Sequence, residues 1–259
     1  MILPVFKDKS KYRKILSVGP LMRLCFTTAL ALFLLTSCHH RKQLISFEGT
    51  LAYAGNAMIY LAHLTSDGLF IIDSCPVEQG RFKLAVRKEP GKNRNCYATP
   101  SFYRIQLTPK SNYVTLPAKA GDKIVLTADA RDLVKSYTAS GNTDVQLMQQ
   151  LDHRLKSFID STDQLQVYYV QHIDNDSARM YVEKEYNQLV ANHTAFLQNF
   201  ITQNSQSMVT VMAFYQMYNQ KKFFSEIDDL PLLQSIYTHL NRLYPQNEHV
   251  LFLKTRIEK

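Results

Sequence analysis

The sequence contains no Trp, only eight Gly and only four Cys among its 259 residues. So few glycines leave little material for loops that hold phosphate groups, and neither a G-x-G-x-x-G nor a P-loop pattern occurs. No C-x-x-C occurs, which excludes a local thioredoxin-type redox pair or zinc knuckle. The G-x-S-x-G and H-E-x-x-H patterns are absent too. We therefore predict that the protein is not an enzyme and holds no metal and no cofactor.

Positive charge is scarce once the amino-terminal segment is set aside. The formal charge is +8, but residues 1–37 contain six basic side chains and one acidic one, so the remainder carries about +3. Its basic residues are interleaved with acidic ones, whereas a nucleic-acid-binding surface needs a concentrated basic stripe. The sequence therefore predicts no nucleic-acid partner.

The longest uncharged apolar run covers residues 24–35 and is too short for a permanent membrane span, which takes ~20 residues. A basic segment precedes it, as in a signal peptide that starts at Met1 or at Met22. The next residues, Leu35-Thr36-Ser37-Cys38, resemble the lipobox of bacterial lipoproteins. The resemblance implies cleavage before Cys38 and lipid on its thiol; the alternative is a short transmembrane helix with an incidental cysteine.

These features predict a signal peptide over residues 1–37 and a lipidated tether over 38–42. The residues just after Cys38 are His and basic residues, not an acidic tract that would favour the cell surface. We therefore expect a protein of the cell envelope that is anchored to a membrane through lipid on Cys38. The expected location is the outer membrane, facing the periplasm.

Two cysteines remain in the predicted exported part, Cys75 and Cys96, because Cys25 lies in the signal peptide and Cys38 takes the lipid. In an oxidising compartment these two can form a disulfide. They can equally be two separate buried thiols, and spacing alone does not decide between the alternatives.

Residues 43–141 read as a domain of short strands separated by turn residues. Alternating or continuous apolar runs bounded by Gly, Pro, Asn, Asp and Ser are typical of antiparallel sheets. The segment therefore predicts a β-sandwich or barrel. The predicted strands cover residues 43–51, 56–64, 69–74, 81–86, 103–107, 113–116 and 123–128.

The periodicity becomes helical after Gly141, over residues 142–259. Asn142 begins a segment suited to helix capping, and apolar side chains then recur at helical spacing. About five helices packed on the β domain are expected, two of them over 208–224 and 247–257, which makes the fold class α+β. The apolar stripes consist of Leu147, Leu151, Leu155, Phe158 and Ile159; of Val182, Tyr186, Leu189, His193, Phe196 and Phe200; and of Leu233, Tyr237, Leu240 and Tyr244.

An ordered set of short segments carries a resemblance over residues 43–142. The segments are Phe47-Glu48-Gly49-Thr50-Leu51, Ile59-Tyr60-Leu61, Ile72-Asp73-Ser74, Gly80-Arg81-Phe82, Ala118-Lys119-Ala120-Gly121-Asp122-Lys123-Ile124 and Tyr137-Thr138-Ala139-Ser140-Gly141-Asn142. The set resembles the uncharacterised amino-terminal β domain of thioredoxin-like, peroxiredoxin-related lipoproteins of gut Gram-negative bacteria. Those proteins continue into a thioredoxin domain with a C-x-x-C, which is missing here, so their redox activity is not carried over.

The residues within these segments have structural explanations. Gly49, Gly80 and Gly121 are expected at turns or close backbone approaches. Asp73 and Ser74 are expected to hydrogen-bond local backbone at a strand end.

Few other residues suggest chemistry. His193 lies on an apolar stripe and fits a core histidine better than a ligand. Two carboxylate clusters, Asp174/Asp176 and Glu226/Asp228/Asp229, fit helix capping better than acid–base catalysis. Several tyrosines of the helical part suggest either packing or a groove for sugar or peptide. They include Tyr168, Tyr169, Tyr215, Tyr218 and Tyr237.

Three functions remain open from the sequence. The preferred one is a non-catalytic binding or interaction module in the cell envelope, with an unidentified protein, peptide or glycan partner. The alternative is an accessory protein of periplasmic thiol-disulfide metabolism. The third is a hydrolase whose site is assembled from residues far apart in sequence.

Overall fold

The computed structural model describes residues 43–87, 97–107 and 112–258. Strands come first and helices follow, so the α+β fold class is confirmed. The last strand of the β part ends at Ser140, and the first long helix begins at Thr143. The strands of the β part are β1 (Gln43–Ala52), β2 (Met58–Thr65), β3 (Gly68–Pro76), β4 (Arg81–Arg87), β5 (Ser101–Gln106), β6 (Tyr113–Ala118), β7 (Lys123–Asp129) and β8 (Thr138–Ser140).

The strands form two four-stranded sheets, with orders β4-β1-β7-β8 and β3-β2-β5-β6. Neighbouring strands pair antiparallel, with the exception of β1 and β7, which run parallel from Ser46 opposite Lys123 to Ala52 opposite Asp129. Parallel neighbours need a long connection between them. The chain from β2 to β6 supplies that connection: β2, β3, β5 and β6 form the second sheet, and β4 returns to pair with β1 in the first.

The two sheets share one core. Phe47, Leu84 and Leu126 of the first sheet belong to the same buried cluster as Leu61 and Ile105 of the second. Burial of apolar side chains from both sheets in a common layer is how stacked sheets stabilise each other. Hydrophobic burial in this layer holds the β part together.

Three glycines occupy the positions that the sequence suggested. A Cβ atom at Gly49 would lie 1.7 Å from the carbonyl oxygen of Leu126, so only glycine allows β1 and β7 to approach as they do. Gly80 and Gly121 have φ angles of 75° and 102°, which glycine adopts without strain.

The prediction for Asp73 was wrong, because its carboxylate accepts a 2.8 Å hydrogen bond from the amide of Ala85, in another strand. It binds across to β4 because the two strands are brought together by the fold.

The described residues contain six helices, five of them after Gly141 as expected. Asn142 caps the first long helix by accepting a 2.8 Å hydrogen bond from the amide of Val145, which confirms the predicted cap. The helices are α1 (Leu133–Ser136), α2 (Thr143–Gln171), α3 (Asp176–Gln203), α4 (Val209–Phe214), α5 (Leu230–Leu243) and α6 (Glu248–Ile257).

The predicted helix over residues 208–224 was wrong in its second half. Only Val209–Phe214 is helical, and a short hairpin follows, made of β9 (Met217–Tyr218) and β10 (Lys221–Lys222). Asn219 and Gln220 form the two-residue turn with φ angles of 46° and 64°. Two successive residues with positive φ are typical of the tight turn that joins antiparallel strands.

A second buried cluster holds the helical part together and joins it to the strands. It contains Met148 and Leu151 of α2, Leu197 of α3 and Leu240 of α5, together with Phe102 of β5. The helices thus pack on the second sheet through shared apolar side chains. None of the helices in the described part of the chain combines the length and apolarity that a membrane span requires.

Candidate binding site

Helices α2 and α3 form a long antiparallel hairpin. At 29 and 28 residues, each is roughly 43 Å long from the 1.5 Å rise per residue. Between residues 159 and 192 the only fully buried side chains are Thr162 and Ala178. We call residues 159–192 the far part of the hairpin. It is held mainly by contacts between its own two helices, and its remaining side chains are partly or fully accessible.

A groove of about 600 Å³ lies between α2 and α3 beside the β9–β10 turn, and we refer to it as the hairpin groove. Tyrosine rings from three elements line it: Tyr169 from α2, Tyr186 from α3 and Tyr218 from β9. Its planar polar groups are carboxylates, amides and one guanidinium, which supply both donors and acceptors. These polar side chains are Asp163, Gln166, Arg179, Glu183 and Asn219.

Contacts on two sides fix the ring of Tyr218. Its hydroxyl lies 2.9 Å from the Thr162 hydroxyl, which itself lies 2.8 Å from the carbonyl oxygen of Ile159. The ring meets Phe158 edge-on, with centroids 5.2 Å apart and planes at 89°. A side chain held in this way presents its surface to the groove with little entropy left to lose on binding.

An aromatic cluster lies next to the groove, on the core side of Tyr218. His193 is buried there, 4.9 Å from the Phe158 ring and 4.6 Å from the Phe223 ring by centroid distance. Its Nε2 lies 2.7 Å from the side-chain oxygen of Gln216, and burial lowers the pKa of His193. His193 is therefore neutral near pH 7. It packs against Phe158, which in turn contacts the groove residue Tyr218.

The tyrosines named from the sequence do not all meet in one place. Tyr169 and Tyr218 line the hairpin groove, whereas Tyr168 lines a second depression of about 500 Å³ with Tyr181. Tyr215 donates a 2.9 Å hydrogen bond to Glu226 outside both. Tyr237 packs against the helical core. The sequence places Tyr186 on a packing stripe, and its spacing does not indicate that it lines the groove.

The two carboxylate clusters have structural roles: one stabilises the start of a helix, and the other joins a loop to a helix. Asp176 lies in the first turn of α3, where its charge favours the helix, and it pairs with Arg179 at 2.6 Å. Glu226 pairs with Arg256 and thereby ties the loop before α5 to α6. The pairing with arginine lowers the pKa of Glu226, so this carboxylate is charged and a poor proton donor.

A separate polar cluster joins β2 and β5 to the start of α6. The Ser101 hydroxyl lies 2.7 Å from His63 Nε2, 3.3 Å from His249 Nε2 and 3.4 Å from Glu248 Oε1. The same Glu248 oxygen lies 3.6 Å from His63 Nε2. A serine hydrolase needs the serine on one ring nitrogen and the carboxylate on the other. In this cluster Ser101 and Glu248 meet the same nitrogen, so Glu248 does not occupy the position of the orienting carboxylate.

Access and protonation also limit this polar cluster. Ser101 and His249 are each only 8% exposed. Burial lowers the pKa of His249 to about 4, with the charge of His63 as the second cause, so His249 is neutral near pH 7. Within residues 43–87, 97–107 and 112–258, no group of three or more His, Cys, Asp or Glu side chains is arranged to hold a metal ion. The cluster connects β2 and β5 to the start of α6.

Of the predicted sites Cys38, Cys75 and Cys96, only Cys75 lies within the described residues. Cys75 lies in β3 and is half-buried, and desolvation raises the pKa of its thiol. A raised pKa leaves less thiolate, the form that reacts with disulfides. Cys38 and Cys96 lie outside the described residues, so lipidation of Cys38 and the Cys75–Cys96 disulfide stay predictions.

No family model matches the sequence, and no curated protein matches it either. The resemblance to the β domain of thioredoxin-like lipoproteins therefore stays a prediction.

Proposed function

We propose that the protein is a lipid-anchored, non-catalytic binding module of the cell envelope, and that the hairpin groove is its binding site. The observation that carries this proposal is the Tyr-lined groove on the accessible part of the α2–α3 hairpin, away from both cores. Concave sites that combine fixed apolar surfaces with a few convergent polar groups are typical of ligand recognition.

The proposed anchor agrees with this role. Lipid on Cys38 would hold residues 42–259 at the membrane surface through a tether of a few residues, and multiple acyl chains give stable attachment. A module fixed in this way meets ligands by presenting an accessible surface. The far part of the hairpin is such a surface, because none of residues 159–192 belongs to either core.

Site-specific photo-crosslinking in intact cells tests the proposal. A photoreactive amino acid replaces Gln166 in the groove of the full-length chain, and the matched control carries it at Tyr53, a 75% exposed residue of the β part. We expect adducts from position 166 that are absent from position 53. Equal adducts from both positions, or none from position 166, would contradict a binding function for the groove.

A further inference from the structure

We propose that the ligand of the hairpin groove is a neutral oligosaccharide. This inference rests on the proposed function and names the chemical class that the groove residues would recognise. Its basis is the combination of three tyrosine rings with planar polar side chains around one groove of about 600 Å³.

The groove chemistry matches the two kinds of surface on a sugar. A sugar ring presents an apolar face of C–H groups and a rim of hydroxyls that both donate and accept hydrogen bonds. The rings of Tyr169, Tyr186 and Tyr218 offer flat apolar surfaces with polar edges. Acceptors come from Asp163 and Glu183, while amide and guanidinium groups donate, so hydroxyls in either orientation can be satisfied.

Two common modes of peptide recognition fit the groove less well. An extended peptide needs an exposed strand edge to pair with. Two walls of the groove are helices whose backbone groups are already bonded internally, and the only strand beside it, β9, is two residues long. A helical peptide needs a continuous apolar trough, whereas Leu165 and Val182 are the only aliphatic residues among those that line the groove. We therefore favour a glycan over a peptide, and peptide binding is an outcome that the test can detect.

The charges around the groove select against acidic ligands. Asp163 and Glu183 are acidic, and the one basic side chain, Arg179, already pairs with Asp176 at 2.6 Å. A polyanion would meet uncompensated carboxylates, since like charges brought together cost free energy. Neutral oligosaccharides are consequently preferred over sulfated or uronic-acid oligomers.

The size of the groove sets the expected ligand length. A volume of about 600 Å³ is within the range of roughly 300–1,000 Å³ of ligand pockets. The groove is open along the hairpin, so we expect a short segment of a longer chain to bind and monosaccharides to bind weakly.

Binding to defined probes tests the inference. The full-length chain in detergent is applied to a glycan array of neutral gluco-, manno-, galacto- and N-acetylglucosamine oligomers, with sulfated and uronic-acid oligomers and a random peptide library beside them. Titration calorimetry with the best neutral oligomer then compares the parent with Tyr169→Ala and Tyr186→Ala. The matched control is Tyr181→Ala, which removes a 49% exposed tyrosine from the second depression of the same hairpin.

We expect binding to neutral oligomers that weakens about tenfold in each groove variant, corresponding to ~1.4 kcal/mol, and by less than twofold in the control. Circular dichroism of each variant excludes loss of fold as the cause. Preference for acidic oligomers, or equal loss in Tyr181→Ala, overturns the assignment. Binding to peptides alone overturns the ligand class but leaves a binding module, whereas no binding to any probe together with no crosslink from position 166 overturns both proposals.

Discussion

At the scale of single residues, Gly49 is the described glycine at which an added Cβ atom would lie closest to another atom. A methyl group there would lie 1.7 Å from the carbonyl oxygen of Leu126 and 2.7 Å from its carbonyl carbon. The obstacle is backbone of the neighbouring strand β7, so no side-chain rotation relieves it. The parallel pairing of β1 and β7 therefore depends on this glycine.

We predict that Gly49→Ala destabilises the protein by about 3 kcal/mol or more, because the two central strands must move apart. Gly55→Ala is the control, since a Cβ atom there has no neighbour within 4 Å and only the φ of 56° opposes it. That conformation costs roughly 1–2 kcal/mol for an L-residue. Urea unfolding measures both, and equal losses would contradict the close approach.

The ionisation of Asp152 depends on the fold. Burial raises the pKa of Asp152 to about 7, and the Tyr137 hydroxyl donates a 2.7 Å hydrogen bond to it. In the unfolded chain an aspartate titrates near 3.9. Between about pH 4 and pH 7 the folded protein thus holds a proton that the unfolded chain has released, so this residue makes stability fall as pH rises.

We predict that Asp152→Asn stabilises the protein by roughly 1–3 kcal/mol at pH 7.5 and by much less at pH 4.5, because the amide avoids a buried charge. Asp160→Asn, on the exposed side of the same helix where Lys156 lowers the pKa of the carboxyl, serves as the control and should not be stabilising. Urea unfolding at the two pH values tests the prediction. An effect of Asp152→Asn that is the same at both would contradict it.

At the scale of elements, the α2–α3 hairpin combines two regions of different stability. The near part contributes Val145, Met148 and Leu151 from α2 and Leu197 and Phe200 from α3 to the cores. The far part contributes only Thr162 and Ala178 as fully buried side chains. Hydrophobic burial supplies most of the free energy of helix formation in proteins, so the two parts should open independently.

We predict that amides of residues 162–186 exchange with solvent about tenfold or more faster than those of residues 145–158 and 193–201, as local opening of few contacts would require. Hydrogen–deuterium exchange with mass spectrometry measures this directly. Equal protection of the amides along both helices would contradict the prediction, because it would mean that the far part is no less stable than the near part. A neutral oligosaccharide that occupies the hairpin groove should slow exchange in residues 162–186 alone.

At the scale of the whole molecule, the proposed lipid on Cys38 decides where the folded unit is held. We predict that the parent protein separates into the detergent phase on Triton X-114 partition and carries the mass of an acylated Cys38 without residues 1–37. Cys38→Ser should keep its leader and lose the acyl mass, because only a thiol accepts the diacylglyceryl group. Cys75→Ser, in strand β3, is the matched control and should be processed and acylated like the parent.

Intact-mass spectrometry reads out each of these proteins. A parent protein that retains its leader, or has an unmodified thiol at Cys38, would overturn the proposed anchor. The proposed binding function of the groove and its ligand class would then depend on the binding experiments alone.

The sequence by itself determined the strands, the helices and the point where one gives way to the other. Alternation in residues 81–86 and the apolar stripe beginning at Leu147 are local patterns, and local propensity with a repeating period is enough to specify such elements. The cap at Asn142 and the turn at Gly80 were predictable for the same reason. Three elements, α1, β8 and the β9–β10 hairpin, are too short to show a regular period, so the sequence does not predict them.

The tertiary structure alone decided which elements are neighbours. The parallel pairing of β1 with β7, the bond from Asp73 to Ala85 and the placement of Tyr186 and Tyr218 around one groove all bring together residues far apart in sequence. Such contacts depend on how the whole chain excludes apolar surface from water, and no local pattern encodes them. The groove exists because α2 and α3 continue well beyond the cores they help to build.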